Sequence, residues 1–272
     1  MNTIHAAGRS GLPRGALPAL VVMALVLAAC APVKDEAPAP APAAVAAGPN
    51  DQAEFAQRKL APQFLAAPVA ARLPASNPPS LAWRGLTIGL DTTTVESNGR
   101  AETSHTVQRY SALGRGLVQR AAQFSKVGIE QGTTYSLSWH GLIDLRRQEA
   151  PLRNAVLRPV VEIKAVQRFD ALATDLGRES RFEYSTGLES QAGGYLPVQL
   201  ECRNVRRLPG ATLHAGIAGD AIELDCRLRG GPGLQATSKW MWLLSYGVAV
   251  ELEQARAGAR SSSRIVAFSR RG

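Results

Sequence analysis

The chain is poor in the residue types that most often carry chemistry. Among 272 residues there are three cysteines and four histidines. No His-Glu-x-x-His, paired-cysteine or Asp-rich loop occurs, which excludes the common local metal-binding patterns. No Gly-x-Ser-x-Gly elbow is present. The glycines Gly193-Gly194, Gly216, Gly219 and Gly230-Gly231 read as turns rather than as a phosphate cradle between a strand and a helix. No cofactor is implied. Acidic residues number 22 against 31 Lys and Arg, a formal net charge of +9. No apolar run reaches the roughly 20 residues that a helix needs to cross a bilayer.

What is present starts with an address. Arg9 and Arg14 precede an apolar stretch from Ala16 to Ala29, the layout of an export signal. It ends in Leu27-Ala28-Ala29-Cys30, which resembles the lipobox of bacterial lipoproteins. That resemblance covers only the first 30 residues. It implies cleavage before Cys30, diacylglycerol on the Cys30 sulfur and acylation (palmitate) of its freed amine, so that the membrane is a partner through this lipid. Ala31, in place of Asp, implies the outer membrane, facing the periplasm. The alternative is a plain secretory signal with a chance cysteine.

Four segments follow: a signal peptide over 1–29, a lipid anchor and Ala/Pro-rich linker over 30–50, a partly ordered strap over 51–80 and one β-rich domain over 81–272. The linker lacks the side chains to bury a core and is expected to be disordered and extended, reaching up to about 60 Å at ~3.1 Å per residue. Asn50 or Asp51 is placed to cap a short helix through Leu60, with Pro62 ending it. Pro68 and Pro74 favour extended or turn conformations.

Past Leu81 the hydrophobic period is two. Leu86, Ile88 and Leu90 alternate with small or polar residues, and Asn98-Gly99 is a two-residue hairpin signal before Ala101 to Tyr110. Tyr135, Leu137, Trp139, Ile143 and Leu145 form one face, expected to be packed. Ser136, Ser138, His140 and Asp144 form the other, expected to be wet. Val161, Ile163 and Phe169 repeat the pattern, as do Ile222, Leu224, Cys226 and Leu228. Trp240 through Leu252 keeps large apolar groups on even positions, with a bend at Ser245-Tyr246-Gly247, and Ile265 with Phe268 suggest a last strand that pairs back. The fold class is mainly β, an antiparallel meander curled as a half-barrel or sandwich.

With Cys30 spent on lipid, Cys202 and Cys226 are left as a pair. Each shares a face with apolar neighbours, so a disulfide is expected; a metal pair or two core thiols are the alternatives. Tyr135, Trp139, Trp240, Trp242 and Tyr246 are candidates to line a ligand groove, or else simply the core. His140 and Asp144 share a strand face as base and orienter would. The arginines, including Arg146-Arg147, read as a solvated basic surface, and carboxylates such as Glu179, Glu183, Glu223 and Asp225 as exposed charge.

Together these point to a non-enzymatic envelope lipoprotein. Its side-chain charge falls from +9 to +7 once Arg9 and Arg14 are removed, so it suits an anionic envelope polymer, a lipid or an envelope protein. Nucleic acid is not expected, because no basic helix or stacking-aromatic motif is seen. A hydrolase of envelope glycans or esters, and a lipid carrier with an apolar groove, are the alternatives.

Overall fold

Alternating side chains suit strands that separate two environments, and twelve such strands account for most of the domain. A computed structural model describes residue 54 and residues 58–74, 83–152, 157–231 and 233–272. The signal, Cys30, the linker, Asn50 and Asp51 lie outside the described residues. The strands are β1 (Gly85–Glu96), β2 (Ala101–Gly114), β3 (Leu117–Lys126), β4 (Ile129–Trp139), β5 (Ile143–Pro151), β6 (Val161–Phe169), β7 (Glu179–Leu188), β8 (Leu196–Pro209), β9 (Asp220–Gly230), β10 (Gln235–Leu243), β11 (Val248–Arg256) and β12 (Ala259–Arg271). Each pairs antiparallel with its chain neighbours, and β12 pairs with β1 from Glu96↔Ala259 to Gly85↔Arg271. The sheet is therefore a closed barrel rather than a half-barrel or sandwich. Closure removes the two unpaired edges that an open meander would expose.

The closure is uneven. At one seam only Arg146↔Glu162 and Arg147↔Val161 join β5 to β6. At the other, β11 and β12 pair only from Glu253↔Ser262 to Arg256↔Ala259. Beyond that short ladder Val248 and Val250 of β11 leave β12. They pack with Met241, Leu243, Leu86, Ile88, Leu90 and Ile265 in one core. Trp242 and Ala249, on the opposite face of the same hairpin, join Trp139, Phe182, Ile222 and Leu224 in a second core. The β10–β11 hairpin is thus buried on both sides. The even-position run from Trp240 is accordingly divided: the turn at 244–247 and the pairing Met241↔Val250 put the valines on the face away from Trp240 and Trp242.

The face of β4 and β5 expected to be packed is packed, with Leu137, Trp139, Ile143 and Leu145 all buried, but the face expected to be wet is largely buried as well. Ser136 and Ser138 are fully buried, on the face shared with Val118 and Arg120, while Leu137 on the other face is covered from outside by the strap. Leu60 of the strap is buried with Leu137 and Val160. The prolines there do not simply extend the chain. Pro62 opens a 3-10 turn (Pro62–Phe64), and Pro68 sits in the first turn of the single-turn helix α1 (Ala67–Ala70), where no backbone N–H is required. Val69 of α1 is fully buried in the cluster that holds Leu145 of β5 and Ile163 of β6, the two sides of the narrow seam.

Two turns carry backbone detail that the sequence understates. The β1–β2 turn has three residues rather than two. The N–H of Arg100 donates to Asn98 Oδ1 at 2.8 Å, and Gly99 alone takes the left-handed conformation (φ 80°), which shifts the register by one. In the β3–β4 turn Val127 is left-handed (φ 52°) ahead of Gly128 (φ 72°). A β-branched residue there costs about 1–2 kcal/mol.

Cys202 and Cys226 stand directly opposite one another on β8 and β9, both buried, and form the expected disulfide. Replacing both with Ala is expected to lower the unfolding free energy by about 3 kcal/mol, read from the urea midpoint; an unchanged midpoint would show that the bridge adds nothing to the barrel.

Candidate binding site

Because β1 to β4 alternate, their outward side chains form rows across the barrel wall. The register Thr87↔Arg109, Arg109↔Ala121 and Ala121↔Tyr135 makes one such row, and Gln123↔Thr133 continues it. The strap lies beside it. Leu60, Arg109, Gln119, Gln123, Tyr135 and Arg271 are among the residues that line a groove of about 530 Å³. Gln119 Nε2 donates to the Leu60 carbonyl at 3.4 Å, which fastens the strap to the groove, and Arg109 Nη1 donates to Gln123 Oε1 at 3.2 Å. The Arg271 guanidinium lies across Gly85, where a Cβ would stand 3.1 Å from its Nε. Arg109 and Arg271 make no ion pair among the described residues. Burial pushes the Tyr135 phenol up, helped by the charge of Glu130 and opposed by Thr133 and Arg109. The groove therefore offers the guanidiniums of Arg109 and Arg271, two amides, a neutral phenol and the Leu60 side chain, and its lining also includes Arg120, already held by Asp144, and the carboxylate of Glu130.

Of the candidate groove aromatics, Tyr135 lines this surface. Trp139, Trp240 and Trp242 lie in the core beside the disulfide, where Trp139 meets Phe169 and Phe182 edge to face. Tyr246 belongs to the other core; its hydroxyl accepts from the N–H of Ala218 at 3.1 Å and its carbonyl accepts from Trp83 Nε1. These five residues do not line one surface.

The histidines are likewise apart. His140 is left-handed (φ 52°) and clasps two hairpins together: its N–H donates to the Gly116 carbonyl, its carbonyl accepts from Ala249, and Nδ1 lies 2.7 Å from the Gly247 carbonyl. Burial lowers its pKa, and the bond to Gly247 opposes this only in part, so a neutral ring donating from Nδ1 fits. Asp144 does not orient it. Instead Asp144 receives Arg120 Nη2 on both oxygens at 3.0 Å and the Ser138 hydroxyl at 2.7 Å. His105 does meet a carboxylate, with Nδ1 2.7 Å from Asp91 Oδ1. This pair escapes sequence reading because the hairpin signal places their register one residue off.

The inward polar cluster on β3 to β5 is the other feature the sequence hides. Ser136 and Ser138 share a hydrogen bond of 3.0 Å, and Asp144 holds Arg120. Burial works against the Arg120 charge, but Asp144 and Tyr110 outweigh it and its pKa rises. Glu251 of β11 feels the same charges. Burial raises its carboxyl to about 7, against a hydrogen bond from Gln254 and the attraction of Arg120. A carboxyl with a raised folded pKa favours its protonated form in the fold. Its contribution is therefore complete below the ordinary value of 4.5 and lost as pH climbs through about 7. Glu251→Gln is expected to match the parent near pH ~5 and to exceed it at pH ~8, by at most about 3 kcal/mol. Urea titrations at both pH values check this; equal gaps at the two would contradict it.

One carboxylate read as exposed is not. Glu223 is buried and accepts from Arg206 Nε at 2.7 Å; its partner on β10, Met241, faces the core that holds Val248 and Val250. Among the described residues no group of three or more His, Cys, Asp or Glu side chains converges as metal ligands would.

Comparisons with family models, with characterised proteins and with solved structures return no match to this chain.

Proposed function

We propose that this chain is a lipid-anchored protein of the bacterial envelope whose basic barrel binds an anionic envelope polysaccharide without acting on it. The anchor reading rests on Leu27-Ala28-Ala29-Cys30 and the Ala/Pro segment behind it. The observation that carries the binding reading is the groove of about 530 Å³ where Arg109 and Arg271, free of carboxylate partners among the described residues, flank Tyr135, Gln119 and Gln123. Guanidiniums accept carboxylates or phosphates in a bidentate fork. Amides and a phenol hydrogen-bond to sugar hydroxyls, and the tyrosine ring covers their C–H faces.

Hydrolysis is the weaker reading. A nucleophile must lie beside its base, and the hydrogen bonds of His140 and His214 are to backbone groups, that of His105 to Asp91. A lipid carrier needs a roomy apolar interior, whereas the inward side chains here fill two cores and a polar cluster.

The test uses the full chain purified in detergent and soluble peptidoglycan fragments bearing free carboxylates. Arg109→Ala with Arg271→Ala is expected to weaken binding at least about tenfold, the loss of one charge-assisted hydrogen bond, and amidated fragments to bind as weakly. Affinity unchanged by the double substitution would remove the groove from the account. The anchor is read separately: intact-mass analysis is expected to find diacylglycerol on Cys30, and a Cys30→Ser form that stays in membranes at the processed mass would refute it.

A further inference from the structure

Because successive strands alternate in direction, the β1–β2, β3–β4, β5–β6, β7–β8, β9–β10 and β11–β12 turns all lie at one end of the barrel. The exposed apolar side chains gather there. Of thirteen large exposed hydrophobics among the described residues, all but Phe64, Leu113, Leu176 and Val205 lie at this end. The β3–β4 hairpin carries Val127, 89% exposed, and Ile129, 60% exposed, with Phe124 just below. Leu152, Leu196 and Leu234 stand at three other turns.

Single exposed leucines need no explanation, but a concentration at one end does. Val127 is unfavourable twice over. It is a β-branched residue in the left-handed region, where a two-residue hairpin turn normally takes Asn or Gly, and it presents nearly its whole surface to water. Nothing in the barrel gains from it.

The same end is cationic. Arg227, Arg229 and Arg256 line a concavity of about 600 Å³ beside the β9–β10 turn, and none of them forms an ion pair among the described residues. Several carboxylates at this end are matched, Glu102 by Lys126, Glu149 by Arg158 and Glu189 by Arg146, while Glu96 and Glu130 form no ion pair among the described residues.

We propose that this end of the barrel docks on an anionic phospholipid bilayer, the apolar turn tips entering the acyl boundary while Arg227, Arg229 and Arg256 hold headgroup phosphates. The apolar tips are spread over several turns around the circumference rather than gathered in one patch. A partner that meets them together is a broad, deformable surface, which a bilayer is and a folded protein is not. A mix of apolar tips and guanidiniums matches the layered chemistry of the membrane interface, where long basic side chains keep their charge at the phosphates. This docking is separate from the groove around Tyr135 and does not depend on it.

The experiment places an environment-sensitive thiol label at Val127→Cys or, at the opposite end, at Leu176→Cys, in the full chain reconstituted into vesicles. The vesicles hold phosphatidylglycerol and phosphatidylcholine with brominated acyl chains. Label uptake by the unsubstituted protein reports any free thiol at Cys30, so failure of the lipid-anchor reading is seen on its own. The label at 127 is expected to shift to the blue and to be quenched several-fold more than the label at 176. Its quenching is expected to fall when Arg227, Arg229 and Arg256 are all replaced by Ala, and in vesicles of phosphatidylcholine alone. Equal quenching at the two positions, none at 127, or quenching indifferent to the three arginines and to lipid charge overturns the proposal.

Discussion

The barrel depends on a buried arginine at its weakest joint. Where β5 and β6 share only two paired residues, Arg146 donates to Glu162 across the seam, to Glu189 Oε1 at 2.6 Å and to the Phe64 carbonyl of the strap at 2.9 Å. Its side chain is 4% exposed, although the sequence reads Arg146-Arg147 as a solvated pair. The alternation explains the difference. Arg146 pairs with Leu137, and that face is covered by the strap, while Arg147 points away. Lys164 completes the joint, bonding Glu162 and the Glu189 carbonyl at 2.8 Å each. Glu189, held by Arg146, has its pKa lowered. Buried charge on this scale is tolerable only when each partner is held by several others. Here one guanidinium ties together β5, β6, the loop after β7 and the strap.

From that joint the rest of the packing follows. Closing β5 on β6 lets Val69 bury with Leu145 and Ile163, and lets Leu60 cover Leu137. The strap held in this way forms part of the groove that Arg109, Tyr135 and Arg271 line. The opposite seam is left loose along most of β11, so the β10–β11 hairpin is enclosed between two cores. Both proposed binding surfaces belong to parts of the barrel that this packing leaves unused. The groove lies on the outward wall beside the strap, and the arginine-lined concavity lies at the turns.

The legible parts of the fold were those set by local alternation and parity. The strands around Leu86, Val161 and Ile222 announced themselves, and the odd third cysteine pointed to Cys202 and Cys226 as partners. What the sequence could not show depends on a second strand or on coverage from far along the chain. Ser136 and Ser138 look solvent-facing until Ser138 is seen to bond Asp144, and Ser136 to bond Ser138, inside. Leu137 looks inward until Leu60 is seen outside it. Barrel closure rests on β1 meeting β12, partners at the two ends of the domain, for which Ile265 and Phe268 gave only a hint. Of the candidate site residues, Tyr135 lines the groove, while Arg109 and Arg271 carried no signal beyond the general excess of positive charge.

The role of Arg146 is open to direct measurement by native-state hydrogen exchange in an Arg146→Met variant. Methionine keeps much of the volume but leaves Glu162 buried without its main partner, a change that costs about 3–5 kcal/mol. The account expects amides of the strap, β5 and β6 to lose protection together, with β8 and β9 around the disulfide much less affected. Protection in the strap and at the β5–β6 seam equal to that of the parent would contradict it.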